Sequence, residues 1–132
     1  MAVATIKAVF KCDVQKVWDI VTSLDDYSWR SDLSRIETVD EKQFIEYTKD
    51  GFATKFTITA TKSNKLWEFD IDNSNIKGHW TGEFSYNGKE TTIIFTENVT
   101  AKKLIMKPFV KAFLKKQQKL YVEDLRKALD NI

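Results

Sequence analysis

The sequence predicts an α+β fold in which a curved antiparallel sheet of seven strands wraps around one long C-terminal helix. Three observations carry that prediction. A strand-like run and helical sequence come first, then six strand-like runs in unbroken succession, then a single amphipathic helix. Every connection among the last six strands is short and local, as in an antiparallel meander. Finally, apolar and aromatic residues recur at nearly every second strand position: Phe52, Phe56 and Ile58; Trp67, Phe69 and Ile71; Trp80, Phe84 and Tyr86. One helix presses only one stripe against a sheet. The aromatic face therefore has more apolar surface than the helix can cover, and the remainder is expected to line a cavity.

With 132 residues, 42% hydrophobic and 30% charged, the chain has the size and composition of one domain spanning 1–132. No leader with a charged and then an apolar segment is legible, and no apolar run reaches bilayer length. A single cysteine, Cys12, excludes an intrachain disulfide and a cysteine-rich metal site. It points to a reducing, cytoplasmic setting, and Cys12 itself reads as a small packing residue. Neither a metal nor any other cofactor is expected.

The elements follow in order. Ala4 to Phe10 alternates as a strand. Asp13 is an N-cap for a helix from Val14, whose Val14, Val17, Trp18 and Val21 share one face. The stretch Asp25–Asp32 is polar with two embedded aromatics, and reads as a second short helix or turn, or as an ordered loop. Strands then run from Arg35 to Val39, Gln43 to Thr48, Phe52 to Thr61, Leu66 to Asp72, Ile76 to Tyr86 and Lys89 to Thr100. Asp50-Gly51 and Asn87-Gly88 are hairpin turns. The final helix carries a stripe of Phe109, Val110, Phe113, Leu114, Gln117, Leu120, Tyr121, Leu125 and Leu129, with Pro108 in its first turn. Gln117 interrupts that stripe, either at a solvated edge or facing the cavity. Gly78 and Gly82 flank Trp80 on one face, where they would let the sheet bend or leave room for a ligand.

Charge is unevenly spread. Residues 1–101 carry 12 basic and 16 acidic side chains, whereas residues 102–132 carry 9 and 3. The lysines of this last segment read first as a solvated outer helix face. Lys102, Lys103 and Lys107 also suit a weak contact with an anionic membrane. Nucleic acid is not expected, because no motif accompanies the lysines and the aromatics lie on a face to be buried.

This order of elements resembles the helix-grip fold of the START-like superfamily, also called SRPBCC. Val17-Trp18 and Asp25-Asp26-Tyr27-Ser28-Trp29 are similar to the segment where its polyketide cyclase/dehydrase and lipid-transport branch has a Val-Trp pair, then an Asp and a Trp. The resemblance covers residues 2–130 and implies a deep cavity between sheet and terminal helix. It does not select a function, since the superfamily includes carriers of lipids, sterols and quinones, cyclases, dehydratases and co-chaperone domains.

Alternation and helical period place Phe56, Ile58, Trp67, Phe69, Trp80, Phe84, Phe95, Phe109, Val110 and Phe113 on the cavity wall, with Tyr47 beside them. Tyr27, Trp29 and Met106 are expected to gate its mouth, near Lys102–Pro108. Among ionisable groups Glu97 is the best acid–base candidate: Phe95 and Val99 flank it on the same face, and burial in the cavity would raise its pKa, unless a bulge or the strand end turns it to solvent or a lysine pairs with it. His79 alternates with Trp80 and should face water. The expected function is binding, and possibly transport, of a hydrophobic or amphipathic small molecule. The alternatives are a cyclase- or dehydratase-type enzyme on a hydrophobic or polyketide-like substrate, and a protein-interaction module with a closed core.

Overall fold

A computed structural model describes residues 1–130. Strand β1 (Ala2–Phe10) leads through Asp13 into α1 (Val14–Thr22), and the Asp13 side chain accepts from the Gln15 amide as the expected cap. Val17, Trp18 and Val21 are the buried face of α1. The segment from Ser23 to Asp32 is an ordered loop rather than a helix. The meander then runs through β2 (Leu33–Thr38), β3 (Gln43–Thr48), β4 (Ala53–Lys62), β5 (Leu66–Asp72), β6 (Ile76–Tyr86) and β7 (Thr91–Ala101). A 3₁₀ turn, Leu104–Phe109, feeds α2 (Val110–Asp130).

All neighbouring strands are antiparallel, in the order β1-β7-β6-β5-β4-β3-β2. Only the first strand leaves chain order: β1 closes against β7, with Ala2 opposite Val99. α1 and the following loop therefore carry the chain from one edge of the sheet to the other. The alternation of β5 sets its register, so that Trp67, Phe69 and Ile71 are buried and Asp70 and Asp72 are exposed. On the outer face His79 lies between Glu68 and Asp70, 2.7 Å from each. Burial draws its pKa down, but the two carboxylates outweigh that and hold it above the usual value.

Most buried apolar residues form one aromatic cluster around Trp18, Phe44, Trp67, Trp80, Phe84 and Phe95. A second cluster joins Ala4, Val99 and Ala101 to Val110 and Leu114 of α2. Gly82 is needed by the first of these. A Cβ there would run into the indole of Trp80, and one at Gly78 into Val99 and the Asn98 carbonyl. The space beside Trp80 thus belongs to its own ring and not to a ligand. Gly82→Ala is expected to destabilise the fold by about 1–3 kcal/mol through overpacking, read from urea unfolding.

Candidate ligand-binding site

The terminal helix covers one side of the sheet. α2 packs chiefly on β1, then on α1, and more lightly on β7. Its inward residues are Val110, Leu114, Gln118, Val122 and Leu125. Buried Gln118 donates to the carbonyls of Ala4 at 2.8 Å and Phe95 at 3.4 Å, which satisfies its amide inside the core. The aromatic rows of β3 to β6 are left facing a cavity of about 260 Å³.

Eight expected residues lie on its wall: Phe56, Trp67, Phe69, Trp80, Phe95 and Phe113, with Tyr27 and Trp29 from the loop. Phe69 stacks on Trp80 with centroids 4.6 Å apart, so these rings form a rigid floor.

The remaining expected residues lie elsewhere. On β3 it is Phe44 and Glu46 that face inward, and Tyr47 lies outside with the Arg35 guanidinium 3.8 Å from its ring centroid. Ile58 precedes a register shift in β4 and packs on the core without reaching the cavity. Phe84 meets Trp18 at 4.9 Å and fills the core beneath α1. Val110 is buried in the second cluster, and Met106 packs against it rather than at the mouth. Phe109 is 68% exposed and Phe113 53% exposed. The 3₁₀ winding through Phe109 advances three residues per turn, which turns the start of the expected stripe outward. Gln117 borders the cavity without being buried, whereas its neighbour Gln118 is buried.

One part of the wall is polar. Arg30 Nε and Nη2 donate to Asp32 at 3.1 and 3.2 Å, and Nη1 and Nη2 approach Glu46 at 3.4 Å. The guanidinium carbon sits 4.6 Å from the Tyr121 ring centroid. Trp29 meets the same ring edge-on at 5.2 Å, and Ser31 binds Asp124 of α2 through both its amide and hydroxyl. These contacts pin the end of the loop to the helix.

Burial would lower the pKa of Arg30, but Glu46, Tyr121 and Asp32 outweigh it, so the side chain stays charged. Burial raises the Glu46 carboxyl despite Arg30, and it raises the Tyr121 phenol, which keeps its proton. Glu97 also borders the cavity, and its carboxyl has no hydrogen-bond partner among the described residues. Burial and then Glu46 push it up to about 7, against the pull of Arg30. Cys12 lies outside the site, and burial raises its thiol. Among the described residues no group of His, Cys, Asp and Glu is arranged to hold a metal ion, and no helix is long and apolar enough to cross a membrane.

Alternation placed Glu97 on the cavity face but did not place Arg30, Asp32 and Glu46 there. The one available signal was Glu46 standing two residues from Phe44 on a strand, which puts both on one face.

Solved structures share this architecture. A START superfamily protein from Mycobacterium smegmatis superposes with a TM-score of 0.88 at 10% identity, covering 98% of this chain and 97% of that one. A conserved protein from Geobacillus kaustophilus gives 0.84 at 11%, covering 98% and 95%. Protein MLL2253 from Mesorhizobium loti gives 0.81 at 12%, covering 98% and 97%. At such identities the likeness is one of fold. No curated protein matches the sequence. Residues 1–131 match the family model described as polyketide cyclase / dehydrase and lipid transport, and the chain belongs to that family.

Proposed function

We propose that this domain binds a hydrophobic or amphipathic small molecule non-covalently between the sheet and α2. The observation that carries this reading is the cavity of about 260 Å³ left where one helix fails to cover an aromatic face. Its size is just below the ~300–1,000 Å³ of typical ligand sites, which favours a compact ligand. Native mass spectrometry of freshly purified protein, with tryptophan fluorescence titrations of small aromatic compounds, tests it. Saturable quenching or enhancement from Trp67 and Trp80 is expected. A folded protein that carries no ligand and responds to none would favour the closed interaction module instead.

A second reading has its own support. Glu97, whose carboxyl has no hydrogen-bond partner among the described residues and is pushed up to about 7, suits general acid–base work on a bound substrate. An enzyme of the cyclase or dehydratase type would lose turnover in Glu97→Gln while still binding substrate. A simple carrier would show no turnover to lose.

Access is proposed to run past Tyr27, Trp29 and Phe113. Trp29 is half-buried, so Trp29→Ala should cost about 1–2 kcal/mol, below the ~3–5 of a core tryptophan, and speed dye release several-fold in stopped flow. Loss of folding would make Trp29 a core residue and end its gating role.

On the 3₁₀ turn before α2, Leu104, Ile105 and Phe109 are exposed next to Lys103 and Lys107, a surface suited to an anionic bilayer. Lys102 is turned back onto Asp72 and the Asn73 carbonyl at 2.6 Å. Reversing Lys103 and Lys107 to Glu should weaken binding to phosphatidylserine-containing vesicles by at least about tenfold, at ~1 kcal/mol per charge. Sedimentation of the parent with no vesicle binding would remove this contact.

A further inference from the structure

We infer that the cavity takes a cationic amphiphile, a compact apolar body whose amine is buried against the Glu97 and Glu46 carboxyl groups. The inference rests on the binding reading above and names the chemistry of its ligand.

Charge is the first ground. Three carboxyl side chains border the cavity, Asp32, Glu46 and Glu97, and among its lining residues Arg30 is the one cation, with no lysine or histidine. Even with Glu97 protonated, one negative charge is left over. The second ground is the use already made of the one cation and of the buried amide. Arg30 turns Nε, Nη1 and Nη2 on Asp32 and Glu46, and the Gln118 amide is spent on two backbone carbonyls. A ligand carboxylate would meet like charges and no unspent cation, and burying an unpaired charge is heavily penalised. An alcohol would gain a hydrogen bond without balancing the charge. An ammonium does both. Trp80 lies directly opposite Glu97 in the sheet, so apolar surface for the ligand's body adjoins the carboxyl that would meet its amine.

Proton release follows. Glu97 faces Glu46 from β3, Arg30 and Asp32 from the loop, and Tyr121 from α2. In the free protein burial and Glu46 hold its carboxyl near 7. A bound ammonium favours the ionised form, so binding expels that proton and strengthens as pH rises. The ammonium of a primary alkylamine, like that of lysine at ~10.4, does not itself titrate in this range.

The test uses one apolar body with three heads: 2-(1-naphthyl)ethylamine, 2-(1-naphthyl)ethanol and 1-naphthaleneacetic acid, titrated into the intact protein by calorimetry. At pH 8 the amine is expected to bind at least tenfold tighter than the acid, with the alcohol between them. Between pH 6 and pH 8 the affinity for the amine should rise about tenfold, as release of up to one proton dictates. Glu97→Gln should remove that rise and most of the amine's lead over the acid. An acid that binds as tightly as the amine, or an amine lead untouched by Glu97→Gln, overturns the inference and leaves the binding reading standing. If the folded protein binds none of the three, the binding reading falls and takes the inference with it.

Discussion

Replacing Glu97 by glutamine is expected to stabilise the ligand-free protein by about 3 kcal/mol above pH 7 and hardly at all near pH 4. The direction follows from linkage. Glu97 is an acid whose folded-state pKa is raised from 4.5 to about 7. The folded chain therefore keeps a proton that the unfolded chain gives up across that interval, and stability falls as pH rises through it. A shift of ~2.5 units corresponds to about 3 kcal/mol, fully lost once pH passes the folded value. His79 works in the same sense. Its raised pKa contributes stability that is complete below the unfolded value of 6.5 and disappears as pH climbs through the folded one. For that reason the quantity to measure is the difference between variant and wild type in urea unfolding from pH 4 to pH 8.5. A constant difference across that range would mean that Glu97 ionises as it does in water.

The opposite outcome is expected at Arg30. Arg30→Met leaves Glu46 and Asp32 facing one another in the interior without their shared cation. Breaking a buried ion pair from one side typically costs about 3–5 kcal/mol. The loss should be largest at pH 8 and shrink toward pH 5, where Glu46, already raised by burial, takes up a proton. Adding Glu46→Gln should restore part of the stability, and a double-mutant cycle gives the coupling. A loss below ~1 kcal/mol would mean that water screens the cluster as it does a surface pair.

Glu97 and Arg30 differ in how far local pattern reveals them. Strict alternation around Trp67, Phe69 and Ile71 set β5 to the residue, because a slip by one would invert its buried face. Glu97 was visible by the same rule, standing between Phe95 and Val99 on β7. The partners of Glu97 were not. Arg30 belongs to a loop without periodicity, and its contact with Glu46 spans 16 residues. On β3 both faces carry apolar side chains, so alternation could not decide between Phe44 with Glu46 and Ile45 with Tyr47. The rotation of α2 was hidden differently. The 3₁₀ turn shifts the phase before the helix begins, and the burial of Gln118 depends on carbonyls of β1 and β7 that are far away in the chain. Tertiary partners settled what local pattern left open.

The pairing of β1 with β7 has a consequence for how the chain acquires its structure. Each hairpin from β2 to β7 can zip from its own turn, with little loop entropy to overcome. β1 has no such neighbour. It pairs with a strand almost the whole domain away, and α2, which packs chiefly on β1, follows that strand. A growing chain therefore holds its first ten residues unpaired until nearly all the rest has been synthesised. Folding is then governed by one late, long-range closure of the kind that places a domain among the slower folders. The same step brings α2 onto the sheet, so the cavity forms only when folding is complete.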